Sequence, residues 1–311
     1  MLPFYGRVYL DFGGYSTFTE GSTCEVEATD LTNRTETDMK TIEAKGTALI
    51  TGASTGIGAV YADRLAKRGH DLILVARNKE RLASLARRLA NDTNRNVETV
   101  EADLTSPADL QRVEDILRTN AGISLLVNNA GVGATGPLVA SDVDKMDNMI
   151  RLNVTALTRL TYAAVPGFVA RGNGTVINIS SIVAIAPETL NGVYGGTKAF
   201  VLALSHSLVH ELADKGVRVQ AVLPGATATE FWDIAGVPVH QLPPQIVMLA
   251  DDMVDAALAG LDLGEIVTIP SLANEAEWDR YEAARRFMSG KLSSVIPAPR
   301  YNVRHPEKLR A

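Results

Sequence analysis

One cysteine, Cys24, in a chain of 311 residues excludes an internal disulfide. The five histidines form no Cys/His grouping with the spacing of a zinc site. Aromatic residues are scarce, at 5 %. No apolar run reaches the roughly 18 residues that a membrane-spanning helix requires. The opening MLPFYGRVYL lacks the basic start and apolar stretch of a secretory signal. A cytoplasmic protein that does not enter the membrane is expected. Basic side chains are outnumbered, leaving a net charge of -6, which argues against nucleic acid as a partner. Hydrophobic residues at 46 % and charged residues at 21 % match an ordinary globular protein and exclude collagen-like or low-complexity chains.

The charge is unevenly spread. Residues 1–44 hold eight acidic against three basic side chains, and six of the seventeen aromatics. Such asymmetry marks a separate unit. Residues 1–44 therefore read as an N-terminal extension, 45–290 as the main domain and 291–311 as a flexible, solvated tail. Three readings stand for the extension. It forms short strands, since Val8, Leu10 and Phe12 alternate, as do Cys24, Val26 and Ala28; it is a flexible acidic segment; or Met39 is the biological start. The third is favoured, because Met39 gives a short lead into the first strand.

From residue 46, short apolar runs alternate with longer stretches of helical period, the pattern of a parallel sheet covered by helices. The runs are Thr47–Thr51, Leu72–Ala76, Val97–Val100, Leu125–Asn128, Val176–Ser180, Val217–Leu223 and Ile266–Ile269. Their continuous apolar character suits strands buried on both faces. Between them, Ser106-Pro107-Ala108-Asp109 has the cap, the first-turn proline and the acid of a helix start. Leu110, Val113 and Leu117 follow on one face, and Leu82, Leu85 and Leu89 repeat the spacing one helix earlier. Asn274, with Glu275 and Glu277, opens a late helix on which Trp278 and Tyr281 share a face. The fold class is α/β: a single doubly wound domain of about seven parallel strands with helices on both faces.

The first strand runs into Thr51-Gly52-Ala53-Ser54-Thr55-Gly56-Ile57-Gly58 and then a helical pattern. Glycines here let the backbone turn tightly and approach a pyrophosphate, whose charge sits on the free N–H groups of the helix. Alone, such a turn is also an ordinary strand–helix junction. More motifs follow in order: Asn128-Asn129-Ala130-Gly131 at the fourth strand, Ser181 at the fifth, Tyr194-Gly195-Gly196-Thr197-Lys198 opening a helix, and Pro224-Gly225 after the sixth strand. Tyr194 and Lys198 lie four apart and share a helical face. A free tyrosine has a pKa of about 10, and a neighbouring ammonium favours the phenolate and lowers it. Read alone, the pair also suits the surface of an amphipathic helix.

Together these motifs resemble the short-chain dehydrogenase/reductase family, of the ordinary, non-extended type, over residues 46 to about 270. The resemblance implies a Rossmann-type fold, a dinucleotide cofactor and hydride transfer between it and a small carbonyl or secondary alcohol. It makes Tyr194 the proton-exchanging group and Ser181 the residue that orients the substrate oxygen, and has Lys198 also hold the nicotinamide ribose. Asn153, in Arg151-Leu152-Asn153-Val154, matches the family's fourth catalytic position, with a water-linked proton path to the lysine. Gly52, Ser54, Thr55, Gly56, Ile57 and Gly58 match the phosphate loop. Asp103 and Leu104 match the adenine-contacting pair, and Asn129, Ala130 and Gly131 the adenosine side. Pro224, Gly225, Thr227 and Thr229 match the segment over the nicotinamide. The family usually has Ala-Ser before the lysine. Here Gly196-Thr197 stands, with a further glycine at 195, and each helical glycine costs about 1 kcal/mol against alanine. Either a close approach offsets that cost or the helix begins loosely.

Cofactor choice rests on the end of the second strand. An acid there would bind the ribose 2′-hydroxyl of NAD, but this chain has Ala76-Arg77-Asn78. Asp71 starts the strand, about 16 Å away. Arg77 can fork onto a 2′-phosphate and resembles the NADP-preferring members, so NADP(H) is expected; a solvated loop arginine is the plainer reading. His206 and His210 lie four apart on a helix with no third ligand nearby, so no metal is expected. Phe231, Trp232, Ile234, Val237, Val239 and Met248, interrupted by Pro238, Pro243 and Pro244, form either an apolar lid over the substrate or ordinary core. The run Ala199–Leu204 suits a homodimer or homotetramer contact, or burial against the sheet. Two rivals remain: a cofactor-binding redox sensor without turnover, and an NAD-linked alcohol dehydrogenase.

Overall fold

The computed structural model describes residues 45–303. The alternating segments of residues 1–44, Cys24 and Met39, and the last eight residues of the tail lie outside the described residues.

Seven strands form one parallel sheet: β1 (Thr47–Thr51), β2 (Asp71–Ala76), β3 (Val97–Glu101), β4 (Ile123–Asn128), β5 (Gly174–Ile179), β6 (Val217–Val222) and a last short strand, β9 (Val267–Thr268). Their order across the sheet is β3-β2-β1-β4-β5-β6-β9. Strands built outward from β1 to β3 and then restart beside β1 with β4. That reversal leaves a crevice at the carboxyl ends of β1 and β4, the place where open α/β sheets bind ligands. Two further short strands, β7 (Thr227–Ala228) and β8 (Met248–Leu249), pair with each other outside the main sheet.

The alternation of strand side chains divides the core into two layers. Ala48, Ile50, Leu72, Leu74, Leu125 and Val127 meet α1 (Gly56–Lys67), α2 (Lys79–Thr93) and α8 (Ala250–Leu263). Leu49, Ile73, Val75, Ile123 and Leu126 meet α3 (Pro107–Thr119), α5 (Leu157–Arg171) and α6 (Gly192–Leu212). Three helices on each face make the domain doubly wound. The helix starts follow their capping chemistry. The Ser106 hydroxyl accepts from the Asp109 N–H with Pro107 in the first turn, and Asn274 caps α9 (Glu275–Ser289). On α9, Trp278 and Tyr281 stack with ring centroids 5.2 Å apart.

One strand departs from the sequence reading. Val97–Val100 was grouped with strands buried on both faces, but β3 is an edge strand of sequence VETVE, with Glu98, Thr99 and Glu101 exposed. Only its valines reach the core, and its acids blunt an edge that no other strand among the described residues pairs. The run Ala199–Leu204 divides its contacts: Val201 and Leu202 are buried, while Phe200 is 39 % exposed.

Between β4 and α5 the chain forms α4 (Val143–Ile150) and then, without a break, a π-helical stretch over Arg151–Ala156. That stretch contains the buried Asn153.

Candidate active site

The crevice opens into a cleft of about 1440 Å³. Of the catalytic and cofactor-contacting residues expected from the sequence, all but Gly58 and Asn153 line it; both stand directly behind its wall.

The phosphate loop is shaped by its glycines. Gly52 and Gly56 have φ of +65° and +55°, a region other residues rarely adopt. A Cβ on Gly58 would overlap the carbonyl oxygen of Gly52, so α1 can lie this close to β1 only with glycine there. Asn129 locks the loop from the next strand: its Nδ2 donates to Thr51 O at 2.8 Å and Gly52 O at 3.1 Å. The Thr51 hydroxyl accepts from the N–H groups of Asn129 and Ala130, both at 3.0 Å. At the start of α1, Thr55 provides no side-chain cap and the first turn holds no acid. The free N–H groups there, and the space kept open by glycine, fit a pyrophosphate.

Arg77 stands exposed at the end of β2, and Asn78 caps α2 through the Arg81 N–H at 2.8 Å. Across the same end, Asp103 accepts from the Thr105 N–H and hydroxyl at 2.9 and 2.7 Å. Burial pulls the Asp103 pKa upward, but these hydrogen bonds and the Arg77 charge hold it below the usual carboxylate value. Asp71 is engaged at the far end of its strand, accepting from the Asn96 N–H.

The opposite end of the cleft holds Ser181, Tyr194 and Lys198, all buried. A polar ladder fixes α6 to the sheet beneath them: Asn128 Nδ2 donates to Asn178 Oδ1 at 2.9 Å, and Asn178 Nδ2 to the Ser205 hydroxyl at 3.0 Å. The Ser180 hydroxyl donates to Lys198 O at 2.8 Å. Lys198 Nζ donates to Ile179 O at 2.8 Å and lies 5.8 Å from the centroid of the Tyr194 ring. Burial alone lowers its pKa to about 8.

The expectation that this ammonium lowers the Tyr194 pKa does not hold here. Burial pushes the phenol up to about 12, with the Ser181 hydroxyl opposing part of the rise. Asn153 is engaged with the loop after β4: its Oδ1 accepts from Val132 N at 3.0 Å, and its Nδ2 donates to Val132 O at 2.8 Å and to the Thr197 hydroxyl at 3.1 Å.

The two unusual glycines beside the lysine have different explanations. At Gly195, a Cβ would come within 3.0 Å of Pro187 Cβ, so a neighbouring turn presses close. At Gly196 nothing stands within 4 Å, and the structure gives no reason for a glycine.

The wall opposite Tyr194 is apolar and comes from α7 (Phe231–Ala235) and the segment to Met248. Phe231 packs on Tyr194 with centroids 5.8 Å apart. Trp232 is buried and its indole N–H donates to Thr227 O at 3.0 Å. Phe231, Trp232, Ile234, Val237 and Met248 line the cleft, whereas Val239 does not. Thr229 leans over the phosphate loop, where a Cβ on Gly56 would meet its methyl at 3.0 Å. Next to it Glu230 pairs with Arg81 at 2.7 Å.

Sequence reasoning missed Arg81, Glu230 and Asn191. Arg81 follows Arg77 by four residues, and Asn191 precedes Tyr194 by three, which is cap spacing; both signals were readable. Glu230 carries no signal of its own, because its partner is 149 residues away. His206 stacks on Trp278 at 6.3 Å and lies 3.6 Å from Glu282. Among the described residues no three His, Cys, Asp or Glu side chains converge as for a metal ion, and no helix is long and apolar enough to cross a membrane.

Residues 46–235 match the family model described as short chain dehydrogenase. Among solved structures, the chain is similar to a short-chain dehydrogenase from Sphingobium yanoikuyae in complex with NADPH, with 51 % identity and a TM-score of 0.80 over 82 % of this chain and 99 % of that one. It is also similar to the bulky-bulky ketone specific alcohol dehydrogenase from Comamonas testosteroni, with 44 % identity and a TM-score of 0.76 over 82 % and 98 % of the two chains. The very-long-chain 3-oxoacyl-CoA reductase of Bos taurus is 35 % identical over 188 residues, 59 % of this chain and 60 % of that protein. The chain thus matches well under two thirds of the bovine relative's length.

Proposed function

The chain belongs to the short-chain dehydrogenase family, and from that premise we propose that it is an NADP(H)-dependent reductase of bulky, uncharged ketones, with Tyr194 as the proton donor. The single observation that carries this reading is the convergence of Ser181, Tyr194 and Lys198 at the carboxyl end of β5, beside an uncapped helix start framed by glycines.

When bound, the nicotinamide supplies or accepts the hydride. The chain's own residues manage the oxygen and its proton. Burial that holds the Tyr194 phenol at about 12 keeps it protonated at neutral pH, the form needed to give a proton to a developing alkoxide. Ser181 is the hydrogen-bond donor that fixes the carbonyl oxygen. Lys198 places a positive charge under the site and would hold the ribose of the bound cofactor. Asn153 holds the loop after β4, and through Thr197 it reaches the turn that carries the lysine. The apolar wall excludes water from the reacting carbon.

Two features support the finer assignments. Arg77 and Arg81 line the β2 end of the cleft, where a 2′-phosphate would meet a guanidinium. The Sphingobium structure, which holds NADPH, is in accord with this choice. The wall formed by Phe231, Ile234, Val237 and Met248 is apolar and without charge, which favours the ketone class named for the Comamonas enzyme over an acyl-CoA. Residues 45–290 are assigned as the catalytic domain and 291–311 as its tail. A homodimer or homotetramer in the cytoplasm, with Phe200 and the exposed Tyr162 at the contact, belongs to the same proposal.

The test is Tyr194→Phe in a ketone panel with NADPH. Turnover should fall by at least about 1,000-fold while NADPH fluorescence titrations stay at the parental Kd. Substantial residual turnover would overturn the role of Tyr194. An enzyme that binds NADPH and reduces no ketone would point to a sensor, and a preference for NADH would point to alcohol oxidation.

A further inference from the structure

We propose that Asn191 is a positioning residue that sets the substrate wall of the cleft at a fixed distance from Tyr194. This rests on the reading of Tyr194 as the proton donor.

Asn191 is 97 % buried, with 3 % exposure, at the first position before α6. Its two side-chain ends serve different parts of the site. The oxygen accepts from the N–H groups of Val193 at 2.9 Å and Tyr194 at 3.4 Å. It thus caps the helix on the turn that bears the tyrosine. The Nδ2 donates to Gly136 O at 2.7 Å and to the Ser141 hydroxyl at 3.1 Å, and the backbone N–H reaches Ala134 O at 3.4 Å. These three bonds hold the loop after β4.

That loop is part of the cleft. Val132 and Thr135 line it. The Thr135 hydroxyl donates to Ala235 O at 2.9 Å, which ties the loop to the end of α7. Gly133 lies flat against Phe231, whose ring fills the place of a Cβ, and Phe231 packs in turn on Tyr194. The result is a closed circuit: α6 start, loop, α7, Phe231 and back to Tyr194. Asn153 secures the loop at Val132, and Asn191 ties Ala134 and Gly136 to the start of α6. A residue needed only as a helix cap could be serine or aspartate equally well. Aspartate has no donor for Gly136 O, and a serine hydroxyl that caps the helix is too short to reach it, so the pair of contacts needs a separate acceptor and donor on one side chain.

The test separates the two ends of the side chain. Asn191→Ser keeps a capping oxygen but is too short to tether Gly136 O, whereas Asn191→Ala loses both functions. Kinetics are measured with NADPH and 2-acetylnaphthalene, and amide hydrogen exchange is measured on the same proteins without ligand. Asn191→Ser should speed exchange over residues 131–142 by about tenfold, the worth of one hydrogen bond at the upper end of its usual range. It should leave residues 193–198 unchanged. Its KM for the ketone should rise about tenfold with kcat within twofold and the NADPH Kd unaltered. Asn191→Ala should add a fall in kcat, which serine restores. Parental exchange in the loop together with parental KM in Asn191→Ser would overturn the proposal. That outcome would make Asn191 a cap alone; a fall in kcat in Asn191→Ser equal to that of alanine would overturn the proposal as well, because the two ends of the side chain would then not act separately. The exchange measurement does not depend on turnover, so a failure of Tyr194 as proton donor would show separately in Tyr194→Phe.

Discussion

The carbonyl oxygen of Gly52 occupies the place where a side chain on Gly58 would begin. The two glycines are six residues apart, yet their contact sets how closely α1 can rest on the end of β1. The clash is with backbone, which cannot swing aside.

Gly58→Ala should therefore lower stability by about 1–3 kcal/mol, the usual cost of forcing a methyl into a filled site. It should weaken NADPH further than the loss of stability explains, because the displaced turn is the one that meets the pyrophosphate. Thermal denaturation and fluorescence titration measure the two effects. A variant with parental Kd would show that the turn relaxes without consequence.

Arg77→Ala should raise the NADPH Kd by about 10- to 100-fold, the range expected for losing charge-assisted hydrogen bonds. NADH binding should change little, since it lacks the phosphate. Equal losses for both cofactors would place Arg77 outside the 2′-phosphate site.

The buried Lys198 ammonium, with its pKa lowered to about 8, gives cofactor binding a pH dependence. Below pH 8 the free enzyme holds the charge. Above it the proton leaves, and binding the cofactor on the charged form requires its return. The NADPH Kd should therefore be flat below pH 8 and rise by up to about tenfold per unit above it. Lys198→Arg, which stays charged, should remove that rise. A Kd independent of pH between 7 and 9.5 in the parental protein would contradict the assignment.

Arg81 and Glu230 join the first turn of α2 to the segment beside Thr229 at 2.7 Å, with both side chains about half exposed. Exposed pairs add little to stability. Because this one ties two sides of the cleft, its effect should appear in cofactor exchange. Glu230→Gln should speed NADPH release about two- to fivefold in stopped-flow fluorescence, with Tm unchanged. High salt should bring the parental rate to that of the variant.

Much of this was legible in the sequence, for reasons that can be named. Strand runs such as Leu72–Ala76 and Leu125–Asn128 are apolar because both faces are covered. Caps such as Ser106 and Asn274 work through neighbours three residues or fewer away. The lining of the cleft by Ser181, Tyr194, Lys198 and the glycine loop followed the order and spacing of the motifs. What stayed hidden depends on partners distant in the chain. The paired strands β7 and β8 are two residues each, too short to show a period. The exposed β3 differs from its neighbours by its position at the sheet edge. The Tyr194 pKa follows from burial, which the i,i+4 spacing to Lys198 does not reveal. Pro187 pressing on Gly195 is likewise a tertiary contact.

The π-helical stretch over Arg151–Ala156 has a consequence for how the chain is phased. Its i→i+5 hydrogen bonds leave one more residue in the turn than an α-helix would hold. α4 and α5 are therefore one rod carrying two registers. In the first, Asn148 reaches the cleft and Met149 packs beside Tyr194. In the second, Leu160, Ala163, Ala164 and Phe168 face the sheet. Winding the same residues as regular α-helix would rotate one half by about 100° against the other, so that either the core or the cleft would lose its side chains, whereas deleting one residue here would regularise the helix and keep both faces. The irregular turn lets a single helix answer to two different surfaces, with Asn153 at the joint.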